Sequence, residues 1–139
     1  MKYAANLILG AALAAPLGAG AANFDGVAPV LCATLGAVQC VKEPGTPHIC
    51  ARGDAQALSL PQFIRIDFAK KHITATREAG VDKSSTFGDV ARGNGHLILQ
   101  GVDGGRAWSL VMEENTGVMT GSAIGDEEGM MIYGACTQI

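Results

Sequence analysis

Gln62 to Phe68 reads Gln-Phe-Ile-Arg-Ile-Asp-Phe, and this alternation decides the fold class. Ile64, Ile66 and Phe68 share one face of an extended chain while Arg65 and Asp67 share the other, the period of two that a half-buried strand requires. Lys70-Lys71 marks a turn, and His72 to Arg77 then sets Ile73 and Ala75 opposite His72, Thr74 and Thr76. Further strands are predicted at Thr86 to Val90, Leu97 to Gln100, Ala107 to Met112, Val118 to Ala123 and Met130 to Ala135, with an earlier one at Ala37 to Lys42. Turn signals separate them: Gly93-Asn94-Gly95, Asp103-Gly104-Gly105, Asn115-Thr116-Gly117 and the Gly125 to Gly129 loop. About eight short strands at regular spacing, with no long amphipathic helix, predict an all-β fold, a small antiparallel meander closing into a barrel or sandwich. Two stretches are less patterned. The alanines of Gly26 to Leu35 suit a helical turn or a strand, and Ala51 to Leu60 reads as a loop or short helix ending at Pro61.

The chain has 139 residues, 48% of them hydrophobic, and a mean hydropathy of +0.24, but the excess is uneven. This length suits one domain, and 19 glycines against 17% charged residues exclude a coiled coil or a charged disordered tail. Lys2 is the only charge before an apolar run from Ala4 to Leu17, and small residues follow at Ala19, Gly20, Ala21 and Ala22. These features predict a secretory signal peptide over residues 1–22, cleaved after Ala21 or Ala22, rather than a membrane anchor. Leu31 directly before Cys32 does not fit a lipobox. Residues 23–139 then form a single β domain, periplasmic or secreted, with no stable membrane anchor. Without Lys2, nine basic residues face thirteen acidic ones, a net charge of −4. Such a balance argues against nucleic acid or anionic lipid as partner.

All four cysteines, Cys32, Cys40, Cys50 and Cys136, lie in the expected mature part, and an even number in an exported chain reads as two disulfides. Of three possible pairings, Cys40 with Cys50 and Cys32 with Cys136 is favoured. Pro44-Gly45 and Pro47 turn the chain between Cys40 and Cys50 back on itself, which leaves Cys32 to tie the start of the fold to its last strand. No CxxC or CxxCH occurs, so neither a redox pair nor c-type haem attachment is supported, and a His48/Cys50 metal pair is outweighed by the disulfide.

The side chains able to carry chemistry are scattered. His48, His72 and His96 form no HxH or HExxH motif, and no phosphate loop or GxSxG occurs; no catalytic, metal or cofactor-binding residue is assigned. The Arg52-Gly53-Asp54 tripeptide arises easily by chance and carries no weight. Glu113-Glu114 and Asp126-Glu127-Glu128 read as solvated acidic hairpins rather than a calcium loop, and are candidates for partner contact. Met112, Met119, Met130 and Met131 fall in the last three strands, where thioethers would suit Cu(I), but Met130 and Met131 must face opposite sides. Trp108 shares a strand face with Leu110 and Met112; it either plugs the core or floors a ligand pocket.

Several short motifs carry a resemblance: Leu31 to Ala33 (LCA), Pro61 to Phe63 (PQF), Leu97 to Gly101 (LILQG), Gly105 to Ser109 (GRAWS) and Gly134 to Cys136 (GAC). Through them the chain resembles a group of small, uncharacterised exported periplasmic proteins of proteobacteria. That resemblance implies compartment and no activity. In size and disulfides the chain is also similar to the small β-barrel lysozyme inhibitors of the periplasm, an architectural likeness only.

The sequence therefore predicts a non-enzymatic binding protein of the periplasm, taking either another protein or a small apolar ligand. A cationic protein such as lysozyme, met by the acidic hairpins, is the most concrete version of the first. The alternatives are a hydrolase-type enzyme with a site assembled across strands from His72, His96 and nearby carboxylates, and a copper carrier using the methionines.

Overall fold

The computed structural model describes residues 23–76 and 82–139, so the expected signal peptide lies outside the described residues. Among the described residues, ten strands form one antiparallel sheet. They are β1 (Val30–Val41), β2 (Ile49–Gly53), β3 (Phe63–Asp67), β4 (His72–Thr76), β5 (Asp82–Thr86), β6 (Ala91–Gly93), β7 (His96–Asp103), β8 (Arg106–Glu113), β9 (Val118–Ile124) and β10 (Glu128–Gln138). The order across the sheet is β5-β4-β3-β1-β10-β9-β8-β7-β6, with β2 also paired to β1. The sheet curls into a half-barrel that brings β5 back against β7. At this seam Ser85 Oγ donates to the Val102 carbonyl at 3.3 Å and accepts from Trp108 Nε1 at 3.1 Å. The meander and its curl agree with the alternation in the sequence.

β1 organises the sheet. One edge pairs with β10 from Val30↔Gln138 to Val41↔Glu128. Along the other edge β3 and β2 lie end to end, β3 opposite residues 30–33 and β2 opposite residues 37–41. The chain between them, residues 54–62, leaves the sheet in a turn held by the Ala57 N–H on Asp54 Oδ1 at 2.7 Å, and it drives Ala55 and Leu60 into the core. This resolves both unpatterned stretches. Residues 30–35 belong to β1, and the segment read as a loop from Ala51 begins as the last three residues of β2.

One predicted strand is displaced. The chain is extended and paired over Asp82–Thr86, not over residues 86–90, where Phe87 turns inward and donates its N–H to the Lys71 carbonyl at 3.1 Å. The reason is compositional: Asp-Lys-Ser-Ser-Thr shows no apolar alternation because this strand lies at the end of the sheet. The two-residue turns at Asn94-Gly95 and Gly104-Gly105 have positive φ at both positions, the geometry that matches the twist of paired strands.

The disulfides are Cys32–Cys136 and Cys40–Cys50, as the spacing predicts, and each joins residues directly opposite in neighbouring strands. They lie on opposite faces. An uninterrupted strand would put Cys32 and Cys40, eight residues apart, on the same face. A bulge between Thr34 and Gly36 inserts Leu35, 72% exposed, and flips everything beyond it. Cys32 is consequently fully buried inside the curl, whereas Cys50 is exposed on its outer surface. Two intramolecular disulfides are consistent with an oxidising, extracellular compartment.

Inside the curl one end is filled. Val30, Ile66, Leu97, Leu99, Met112 and Met119 are almost wholly buried there, and each such side chain contributes about 1.5–3 kcal/mol by leaving water. Phe24 closes this end, its N–H donating to the Glu114 carbonyl at 2.8 Å, and Phe68 meets Phe87 edge to face at 6.3 Å. Thr34 Oγ1 is buried there without a hydrogen-bond partner.

Candidate functional site: an apolar lumen

The other end of the half-barrel, where the β7–β8 and β9–β10 turns lie, is not filled. A cavity of about 150 Å³ opens there, walled by Ile64, Ile73, Trp108, Leu110, Met130 and Ile132. Its origin is visible in the inward-facing series of each strand. Toward the filled end the series carry Leu97, Leu99, Met112 and Met119; toward the open end β4, β9 and β8 offer Ala75, Gly121, Ala123 and the single Trp108. Small residues across facing strands leave volume that no neighbour fills.

Trp108 is fixed rather than loose. Its indole lies against Gly101, directly opposite in β7, where a Cβ would come within 2.4 Å of Cζ2. With Nε1 bonded to Ser85 Oγ, the ring forms one wall of the lumen.

The acidic candidates do not form one surface. Glu113 and Glu114 sit at the β8–β9 turn and Asp126, Glu127 and Glu128 at the β9–β10 turn, at opposite ends of a seven-residue strand. At about 3.3 Å per residue the two groups are about 20 Å apart. Several of these carboxylates are already engaged. Glu114 pairs with Arg92 at 2.9 Å, Glu113 accepts the Thr116 hydroxyl, and Glu128 pairs with Arg106. Asp126 and Glu127 stay exposed.

His72 and His96 begin β4 and β7, at the filled end of the half-barrel and on the outer face. The His72 ring faces Thr74 Oγ1 at 3.5 Å and His96 Nδ1 lies 2.9 Å from the Asn94 carbonyl; neither lines the lumen. Among the described residues no group of three or more His, Cys, Asp or Glu is placed to hold a metal ion. Of the four methionines, Met112 and Met119 face each other across β8 and β9, Met130 lines the lumen, and Met131 is on the outer surface, 44% exposed.

Sequence reasoning missed a charged collar at the mouth of the lumen. Lys83, Asp103, Arg106 and Glu128 all occupy inward positions at this end. The signal was available, because Asp103 extends the series Leu97, Leu99, Gly101, and Arg106 opens the series Trp108, Leu110, Met112. A charge that ends an apolar period-two series marks the rim of a barrel. No family model, no curated protein and no solved structure matches the chain.

Proposed function

We propose that this is a non-enzymatic binding protein of the periplasm or extracellular space that carries a small apolar ligand in its lumen. The observation that carries this reading is the cavity of about 150 Å³, apolar over most of its walls and charged at its rim, beside a closely packed core. An apolar hole of that size accepts a molecule the size of benzene. The mouth of a β-barrel is a recurrent place for such sites. The separation of the two acidic hairpins favours this version over recognition of a cationic protein, which would meet only one hairpin at a time.

Trp108, the single tryptophan, reports on the test. Toluene titrated into the purified oxidised protein is expected to shift Trp108 emission saturably. Ala123→Leu, which fills the lumen from β9, is expected to abolish that shift while keeping the fold. A wild-type emission that changes only linearly with toluene, or a filled variant that binds as well as the wild type, refutes the lumen as a ligand site.

A further inference from the structure

The collar says what kind of polar group the ligand carries. Four ionisable side chains from four strands meet at the rim: Lys83 opposite Ala75, Asp103 opposite Arg106, and Glu128 two residues before the lumen-lining Met130. Arg106 is neutralised. Its stem lies over Gly125, where a Cβ would come within 2.8 Å of Cγ, and its guanidinium donates to Glu128, the two side chains being 25% and 32% exposed. Lys83 and Asp103 have no hydrogen-bond or ion-pair partner among the described residues. The lumen below them offers little else polar, since the indole N–H is already bonded to Ser85. A ligand entering this end therefore meets one unengaged cation and one unengaged anion above an apolar hole.

The signs discriminate between ligand classes. A simple carboxylate gains from Lys83 and is opposed by Asp103, and a simple amine meets the reverse. A zwitterion satisfies both. The volume, about 150 Å³, admits one ring or one branched aliphatic group. Resting on the reading of the lumen as a ligand site, we propose that the ligand is an apolar α-amino acid of the phenylalanine or leucine class. Its side chain lies against Trp108, Leu110 and Ile132, its carboxylate on Lys83 and its ammonium on Asp103.

The test compares four probes by calorimetry and Trp108 emission: phenylalanine, 3-phenylpropionate, 2-phenylethylamine and toluene. Phenylalanine is expected to bind about tenfold or more tighter than either single-charge analogue, as a charge-assisted hydrogen bond allows. Lys83→Met is expected to bring phenylalanine down to the level of phenylethylamine, and Asp103→Asn to the level of phenylpropionate. Both variants should keep the wild-type affinity for toluene, which separates loss of the collar from loss of the lumen. If a single-charge analogue binds as tightly as phenylalanine, or if both variants leave phenylalanine unaffected, the zwitterion assignment is overturned. Saturable toluene binding in the same experiment would leave the lumen reading standing. If toluene fails as well, both readings fall.

Discussion

Replacing Gly101 with alanine probes the seam that holds the half-barrel together. A Cβ at this position would lie 2.4 Å from Trp108 Cζ2, 2.6 Å from Cε2 and 2.6 Å from the Thr86 carbonyl oxygen. The carbonyl belongs to the backbone of β5, so relief requires either the indole or the strand to move. Moving the indole breaks its bond to Ser85, the residue that also bridges to Val102. Overpacking of this kind costs about 1–3 kcal/mol and loss of one partly buried hydrogen bond about 1 kcal/mol, so Gly101→Ala is expected to destabilise the fold by about 2–4 kcal/mol. With a urea slope of about 1–3 kcal/mol/M for a small domain, the midpoint should fall by about 1–2 M. Urea unfolding of the oxidised protein, followed by circular dichroism and by Trp108 emission, measures it, and the native emission should move to the red. Gly129→Ala is the control. Nothing lies within 4 Å of its Cβ position, so alanine there is expected to be neutral or to stabilise by about 0.5 kcal/mol. An unchanged midpoint and unshifted native emission in Gly101→Ala would refute the placement of the indole on Gly101 and the closure of the seam through Ser85.

Loop entropy predicts unequal disulfides: Cys32→Ala/Cys136→Ala, opening a separation of 104 residues, should cost about 4.7 kcal/mol, and Cys40→Ala/Cys50→Ala, at a separation of 10, about 2.7 kcal/mol. Mild reductant followed by alkylation and mass spectrometry should label Cys40 and Cys50 first, because Cys50 is exposed and Cys32 is not. Deleting Leu35 removes the bulge but leaves Cys32 and Cys40 seven places apart on opposite faces with their partners unchanged, so both disulfides should still form, seen as no free thiols after refolding, and Leu35→Ala should change stability by no more than about 0.5 kcal/mol. Thr34→Val should raise stability by about 1 kcal/mol in the same urea assay, since it removes a buried hydroxyl with no partner. The backbone N–H and ammonium of Lys70 hold the Asp67 carboxyl below the usual carboxylate range, and the ammonium of Lys71 does the same for Asp89. Carboxyls lower in the folded than in the unfolded chain contribute stability that is present above the ordinary carboxylate pKa and lost as pH falls through the folded value. Asp67→Asn/Asp89→Asn should therefore flatten the acid limb of a stability–pH curve, and carboxyl titration by NMR should find both groups below ordinary aspartates.

Strands that bury one face announced themselves. Ile64 and Ile66, or Leu97 and Leu99, alternate with polar neighbours because one side meets the core and the other meets water. Asp82–Thr86 did not, since an end strand needs few apolar residues, and its inward positions are Lys83 and Ser85. The start of β1 was ambiguous because Ala and Gly, which suit a packed strand between two partners, carry little periodic signal. The cysteine pairing followed from turn chemistry, but its two-faced arrangement did not, because a single inserted Leu35 looks like any other residue until the register is known. Trp108 was legible as core or pocket. The collar was legible only in part: each charge could be seen to end an alternating series, while their meeting at one rim depends on strand order, and Lys83 and Asp103 come from strands that join across the seam.

The first strand of this fold cannot find its place until the last one exists. β1 pairs along its whole length with β10, and Cys32 bonds to a residue three places from the end of the chain. A ladder spanning that much sequence closes late, because the long loop between its strands must be closed before their pairing is rewarded. Only when residues 128–138 are in place can the sheet zip from its centre outward and the buried thiols be sealed together. The topology thus works as a timer: the first strand waits for β10.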